Sequence, residues 1–244
     1  MNTTHQAREV APGLSVRGFT PPLRLADFGL IAFDMDSTLI NIECVDEIAA
    51  AAGRKAEVAA ITEAAMRGEL ADYKASLRQR VALLKGVRRE DLESVYATRL
   101  QLNPGVADLV TACQRAGLKT LLVSGGFTFF SDRVRDRLGL DYTRANVLEL
   151  KDGVLTGRML DQPWGDICDG DEKKRMLQAT CEALRLSPRQ AIAVGDGAND
   201  LPMMSIAGLS VAYHAKPAVR AQAMVAIHSG GLDRLLEVVH AAAP

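Results

Sequence analysis

The sequence predicts an α/β protein: a doubly wound parallel sheet, that is a Rossmann-like core, with a small helical cap inserted after the first strand. From residue 104 onward, apolar runs of strand length alternate with helical patterns, as in parallel sheets covered on both faces. Residues 41–103 contain helical patterns but no convincing strand. We therefore expect a core of residues 29–40 and 104–244, a cap of residues 41–103 and a partly ordered N-terminal tail of residues 1–28.

The elements of the core are predicted from apolar runs and from the glycines and prolines between them. Residues 30–33 form a short continuous apolar run, which is typical of a strand buried on both faces. Pro104 and Gly105 begin a helix that Gly117 ends. Further along the chain we expect strands at 118–123, 191–194 and 209–212, helices at 127–138 and about 172–184, and a hairpin within 146–160.

The predicted cap contains an arginine on an apolar helix face. This face repeats every three or four residues and consists of Tyr73, Leu77, Val81 and Leu84. Arg80 falls within it, and a guanidinium on a buried face requires an anionic partner. The partner is either Glu43, in a permanent ion pair, or the anion of a ligand; alternatively, the stem of Arg80 packs and its head reaches water.

Composition and charge disfavour several classes of partner. The chain has 244 residues, 29 basic and 30 acidic, and its net charge of -1 gives no electrostatic case for nucleic acid or a membrane surface. No stretch approaches the length of a membrane span, and the first dozen residues lack the apolar core of a signal peptide. The 4 cysteines show no CxxC pairing, as expected of reduced thiols. We therefore expect a cytoplasmic protein.

Polar residues follow three of the predicted strands, and a parallel sheet brings such positions to one edge. Asp34 and Asp36 follow the first strand and project to the same side if the extended backbone continues. Two neighbouring carboxylates are costly unless a cation lies between them, a proton is shared or water reaches them. The alternative is a solvated strand end followed by a helix cap at Ser37 or Thr38.

The other two motifs supply groups suited to phosphate and to a metal ion. At Ser124, Gly125 and Gly126 we expect free backbone N–H groups at a helix start, which attract phosphate, although paired glycines also mark ordinary turns. In GDGAND, residues 195–200, hard oxygen donors suit Mg²⁺ together with those of the first motif; they are Asp196, Asn199 and Asp200. Before this motif, Lys173 or Lys174 is either a compact cation for phosphate or a solvated surface charge.

In this order, DMDST, SGG, the lysine and GDGAND resemble the four motifs of the haloacid dehalogenase superfamily. The longer stretches DMDSTLINIECVDEIA, SLRQRV, VSGGF and VGDGANDLPM resemble its members that hydrolyse O-phosphoserine. The resemblance implies a Mg²⁺-dependent phosphomonoesterase that converts O-phospho-L-serine to L-serine, the last step of serine biosynthesis, through an aspartyl phosphate. A phosphotransferase that uses the same intermediate, a phosphatase for another small phosphorylated metabolite and an inactive binding module are the alternatives.

The resemblance also implies a role for each matching residue. Asp34 would be the nucleophile, and Asp36 would protonate the leaving alkoxide and then deprotonate the attacking water. The metal ligands would be Asp34, the carbonyl of Asp36, and Asp196, with Asp200 in support. Ser124 and Lys173 would bind the phosphate of the substrate, Arg80 its carboxylate and Glu43 its ammonium group. Gly125 and Asn199 would also contact the substrate. Met66 would lie either in the same pocket or in the packing of the cap. Lys173 is preferred to Lys174 because its distance to GDGAND matches the family spacing.

Overall fold

The structure, a computed structural model, describes the backbone of residues 6–66 and 72–240 and the side chains of residues 6–64 and 72–240. The strands are β1 (Arg8–Ala11), β2 (Leu14–Val16), β3 (Leu23–Arg24), β4 (Leu30–Phe33), β5 (Lys119–Phe127), β6 (Tyr142–Lys151), β7 (Val154–Leu160), β8 (Ala191–Gly195), β9 (Leu209–Tyr213), β10 (Val225–Ile227) and β11 (Val239–His240). The helices are α1 (Cys44–Ala51), α2 (Lys55–Met66), α3 (Tyr73–Ala82), α4 (Arg89–Thr98), α5 (Val106–Arg115), α6 (Thr128–Leu138), α7 (Gly170–Ala183), α8 (Leu201–Ile206) and α9 (Pro217–Arg220). Within the described residues, no helix combines the length and the apolar composition of a membrane span.

A central, mostly parallel sheet positions the ends of its strands side by side. In the described part of the chain, 9 strands form this sheet in the order β1-β2-β10-β9-β8-β4-β5-β6-β7. Strand β4 lies between β5 and β8 and runs parallel to both. Its four side chains are fully buried, because helices cover both faces. The predicted doubly wound parallel sheet is confirmed, and the carboxyl ends of β4, β5 and β8 are neighbours.

Most predicted core elements lie where the sequence places them. Helix α5 follows Gly105 and α6 ends at Gly139, and both glycines adopt left-handed backbone angles, with φ of 75° and 64°. Strands β6 and β7 form the predicted hairpin. Strand β5 differs, because it continues past residue 123 to Phe127, which pairs with Asn146 of β6 after a bulge. Helix α6 therefore begins at Thr128, not at residue 127.

The inserted segment is helical, as predicted, and shares its apolar core with the sheet. Helices α1 to α4 lie between β4 and α5 along the chain. In the stripe around α3, Leu77, Val81 and Leu84 are buried and Tyr73 is half-buried. These three buried side chains belong to the same hydrophobic cluster as Phe33 of β4. The division of the chain into a core domain and a cap domain stays a prediction.

The N-terminal segment is ordered where the sequence predicts a partly ordered tail. Strands β1 and β2 form a hairpin, and β2 pairs antiparallel with β10. Leu14 and Val16 are 0% and 2% exposed. Strand β2 thereby covers backbone groups that β10 would otherwise leave unpaired at the edge of the sheet. The tail prediction is wrong for residues 8–16, because strands of 4 and 3 residues are too short to show a periodic pattern.

Candidate active site

The carboxyl ends of β4, β5 and β8 open into a cavity of about 290 Å³. From the sheet edge, its lining includes Asp34, Asp36, Ser124, Gly125, Asp196 and Asn199. From the inserted helices, its lining includes Glu43, Asp46, Tyr73 and Arg80. The structure thus brings the three predicted motifs and two of the predicted substrate residues of the cap to one cavity, as neighbouring parallel strand ends require.

At the base of the cavity, one lysine joins two aspartates. The Nζ atom of Lys173 lies 2.7 Å from Asp34 Oδ1 and 2.7 Å from Asp200 Oδ1, and the Lys173 side chain is fully buried. Burial would lower the pKa of Lys173, but the two carboxylates outweigh it and raise this pKa well above its usual range. Burial and the charge of Asp200 raise the pKa of Asp34, while Lys173 opposes this shift. Lys173, rather than Lys174, therefore supplies the buried cation.

Asp200 holds the GDGAND loop and completes a cluster of three carboxylates. Its Oδ2 atom accepts hydrogen bonds from the backbone N–H groups of Asp196, at 3.2 Å, and Gly197, at 3.0 Å. One oxygen each of Asp34, Asp196 and Asp200 lie within 4.8 Å of one another. Burial and the charge of Asp200 raise the pKa of Asp196 to about 7. Two of these carboxylates are buried and Asp196 is half-buried, and crowded oxygens of this kind fit a divalent metal ion.

The side chain of Asp36 turns away from this cluster and toward α1. Its Oδ2 accepts the backbone N–H of Cys44 at 3.0 Å, and its Oδ1 accepts the Cys44 thiol at 3.1 Å. The predicted metal role of Asp36 therefore depends on its backbone carbonyl. Burial and the charge of Glu43 raise the pKa of Asp36 to about 7. Such a carboxyl group retains a proton near neutral pH and suits general acid catalysis.

The side chain of Ser124 forms a hydrogen bond with the backbone of its own motif, which was not predicted from the sequence. Gly125 and Gly126 lie inside β5, before α6, and the N–H of Gly126 donates to Ser124 Oγ at 2.8 Å. The expectation that these N–H groups are free at a helix start is therefore wrong for Gly126. A Cβ atom on Gly125 would lie 2.0 Å from the hydroxyl of Tyr73. Because glycine has no Cβ atom, Gly125 allows Tyr73 of α3 to lie close to the sheet edge.

Asn146 positions the site without belonging to any predicted motif. Its Nδ2 donates to the carbonyl of Gly125 at 2.7 Å, and its Oδ1 accepts the N–H of Cys168 at 2.8 Å. The side chain is 1% exposed. These bonds connect the Ser124 motif to the segment that leads into α7 and Lys173. In the sequence, an asparagine at the start of an alternating run resembles a hairpin boundary, so its role escaped prediction.

Two predicted substrate residues of the cap face the cavity. Glu43 Oε1 accepts the hydroxyl of Ser37 at 2.6 Å, and the side chain stays accessible. Burial raises the pKa of Glu43, and the charges of Arg80 and Lys216 oppose this shift. The Nε atom of Arg80 is buried and has no hydrogen-bond partner. Met66 ends α2, but its side chain lies outside the described residues.

A family model described as haloacid dehalogenase-like hydrolase matches residues 28–208. The chain belongs to the haloacid dehalogenase-like hydrolase family. The matched range contains the three strand-end motifs, Lys173 and the inserted helices. The resemblance stated from the sequence is confirmed at the level of this family.

Relatives of this haloacid dehalogenase-like hydrolase carry a more specific name. A phosphoserine phosphatase from a Polaromonas species is 76% identical over 234 residues, and the match covers 96% of this chain and 99% of the relative. A solved phospho-aspartyl intermediate analogue of phosphoserine phosphatase matches with a TM-score of 0.79 and 38% identity, over 86% of this chain and 98% of that one. A substrate-bound phosphoserine phosphatase complex matches with a TM-score of 0.77 and 36% identity, over 86% and 97% of the two chains.

Proposed function

We propose that this chain hydrolyses O-phospho-L-serine to L-serine and phosphate through an aspartyl phosphate, as the last step of serine biosynthesis in the cytoplasm. One observation carries the proposal: a single cavity holds Asp34, bonded to a buried lysine, and Arg80, whose Nε lacks a partner. The relative that is 76% identical is named phosphoserine phosphatase, which supports the same substrate. The cysteines of the described chain are free and buried, which fits a reducing compartment.

The two ends of the cavity match the two ends of O-phosphoserine. The phosphate would lie at the strand ends beside Asp34 and Ser124, within reach of the charge of Lys173. The other end of the substrate carries one carboxylate and one ammonium group. Arg80 offers a buried unpaired donor to the carboxylate, and Glu43 offers negative charge to the ammonium. A phosphate ester without these two groups would leave the Arg80 donor unpaired.

The reaction divides into two displacements at phosphorus. A carboxylate oxygen of Asp34 forms a bond to phosphorus, the bond from phosphorus to the serine oxygen breaks, and Asp36 gives its proton to that oxygen. Water then attacks the phosphorus of the aspartyl phosphate, Asp36 accepts its proton, and the bond to Asp34 breaks to release phosphate. The pKa of about 7 for Asp36 supports both roles, because the group can exist in either form near neutral pH.

The carboxylate cluster fits a Mg²⁺ ion. Asp34 and Asp196 would hold it together with the backbone carbonyl of Asp36, and Asp200 would support the loop. Their hard oxygen atoms are the ligands that Mg²⁺ prefers. When bound, the ion would neutralise charge between the nucleophile and the phosphate.

Arg80→Ala tests the substrate. We expect kcat/KM for O-phosphoserine to fall by the equivalent of about 2–5 kcal/mol, because the substrate carboxylate loses its charged partner in the cavity. For p-nitrophenyl phosphate, which lacks a carboxylate, the loss should be much smaller. The measurement is the rate of phosphate release for both substrates at several concentrations. Phosphothreonine, phosphoethanolamine and sugar phosphates complete the panel.

Arg78→Ala is the matched control for Arg80→Ala. Arg78 lies on the same helix, is exposed and forms an ion pair with Asp166 outside the cavity. We expect it to leave both rates near the wild-type values. Equal losses for both substrates in a folded Arg80→Ala protein would contradict the proposal, because Arg80 would then support the cap or the phosphate site.

A further inference from the structure

Two residues that line the cavity each carry a buried charged atom without a hydrogen-bond partner. Among the described residues, the buried side-chain atoms without a partner that belong to the cavity lining are Arg80 Nε and Asp46 Oδ1. The first is a donor on a cation, and the second is an acceptor on an anion. A buried polar group without a partner carries a desolvation cost that a ligand relieves. The cavity is therefore complementary to a group that offers one carboxylate and one cationic donor.

Asp46 lies beside Glu43, on the same side of α1. Glu43 directly precedes the first residue of α1, and Asp46 lies three residues after Glu43. The two side chains are therefore neighbours. The charge of Asp46 contributes to the raised pKa of Glu43. Burial raises the pKa of Asp46, and the charge of Arg80 opposes this shift. Oε1 of Glu43 already accepts the Ser37 hydroxyl, whereas the buried Oδ1 of Asp46 has no hydrogen-bond partner.

We infer that Asp46 is a specificity residue that accepts the ammonium group of the substrate together with Glu43, opposite the carboxylate bound by Arg80. The inference rests on the proposed function and adds a second anion to its substrate site. An ammonium group has three N–H donors, so two carboxylates can each accept one of them. Discrimination against phosphate esters without an ammonium group then depends on Asp46 as well as on Glu43.

Asp46→Asn tests this role with four phosphate esters. O-phosphoserine carries both groups, phosphoethanolamine carries only the ammonium, 3-phosphoglycerate carries only the carboxylate, and p-nitrophenyl phosphate carries neither. We expect kcat/KM to fall about tenfold or more for the two esters with an ammonium, mainly through KM, because a charged hydrogen bond is lost. The other two should change by less than about twofold. For an ester that is a poor substrate, KM is replaced by the constant with which the ester inhibits hydrolysis of p-nitrophenyl phosphate.

Asp108→Asn is the matched control. Asp108 is exposed and occupies the third position of α5, as Asp46 does in α1, so it reports the loss of an acidic group at a helix start. We expect no change with any of the four esters. Circular dichroism melts confirm that both variants fold.

The pattern across the esters decides between the possible roles of Asp46. A loss confined to O-phosphoserine and 3-phosphoglycerate would overturn the inference, because Asp46 would then orient Arg80. An equal loss for all four esters would overturn it in favour of a structural role. If the wild-type protein does not discriminate between the esters, the proposed function itself is overturned. If the wild-type protein is selective and the Asp46→Asn protein is equally selective, only the role of Asp46 is overturned.

Discussion

At the scale of single residues, the ammonium group of Lys173 organises the charges beneath the cavity. It bonds to Asp34 on one side and to Asp200 on the other, and all three side chains are buried. A buried charge is tolerated only with such partners, and losing one partner leaves another charge unpaired. Lys173 thereby fixes Asp34 at the end of β4. It holds one oxygen of the Asp34 carboxylate, and the residue lines the cavity.

Asp34→Asn should abolish turnover and preserve the fold. The amide has nearly the same shape as the carboxylate, so the packing around β4 is retained, but it is a poor nucleophile. Phosphate release from O-phosphoserine and a thermal melt measure the two effects. Asp171→Asn, an exposed position at the start of α7, is the control and should keep full activity. Steady turnover by Asp34→Asn at a wild-type rate would show that another group attacks phosphorus.

Residues that directly follow the predicted strands were predictable as parts of the site, whereas Asn146 and Asp46 were not. Asp34 and Asp196 reach one cavity because their motifs follow neighbouring parallel strands. Asn146 acts through backbone atoms of Gly125 and Cys168, which are remote from it in sequence, and no local pattern encodes such contacts. Asp46 has the appearance of an ordinary acidic residue in the first turn of a helix, so only the fold shows that one of its oxygens is buried without a hydrogen-bond partner.

At the scale of elements, predictability follows the number of buried apolar residues in an element. Strand β4 is a continuous run of buried side chains, and α5 has four buried apolar residues at helical spacing; both were predicted. Strand β2 has 3 residues and was missed. The junction of β5 and α6 was misplaced by one residue. Phe127 is 1% exposed and fits both the apolar run of the strand and the helical spacing that follows, because it is the last residue of β5 and directly precedes α6.

Leu14→Ala tests whether the N-terminal hairpin belongs to the folded core. Leu14 is fully buried in β2, so its truncation should lower the free energy of unfolding by about 2–5 kcal/mol, as in other cores. Activity of the folded protein should change little, because β10, β9 and β8 separate β2 from β4 in the sheet. Urea unfolding followed by circular dichroism gives the free energy. Leu160→Ala, at a 42% exposed position, is the control. A change below about 0.5 kcal/mol for Leu14→Ala would indicate a loosely attached segment.

At the scale of the whole molecule, balanced total charge conceals a local excess of acid. The net charge is -1, yet the cavity lining contains the carboxyl groups of Asp34, Asp36, Glu43, Asp46 and Asp196. Folding brings these groups together and buries several of them, which disfavours their charged forms. Protons or a metal ion can relieve this cost, so the stability of the whole fold is linked to both.

Without metal, the chain should become more stable as the pH falls from 8 toward 6. Burial raises the pKa of Asp36 and of Asp196 to about 7 from an ordinary value of 3.8. A raised pKa means that the folded state binds protons more tightly than the unfolded state does. The resulting stabilisation is complete below 3.8 and disappears as the pH rises through about 7. Thermal melts in EDTA across this range measure it.

Mg²⁺ should oppose that pH trend, because it competes with protons for the same oxygen atoms. Binding to the folded state alone raises the melting temperature, and it requires deprotonated carboxylates, so the increase caused by Mg²⁺ should be larger at pH 8 than at pH 6. Paired melts with EDTA and with Mg²⁺ at each pH give this difference. Asp196→Asn removes one carboxylate of the cluster and should reduce both the Mg²⁺ effect and the pH dependence seen in EDTA. An Mg²⁺ effect that is the same at both pH values, or that is undiminished in Asp196→Asn, would place the ion outside the cluster of Asp34, Asp196 and Asp200.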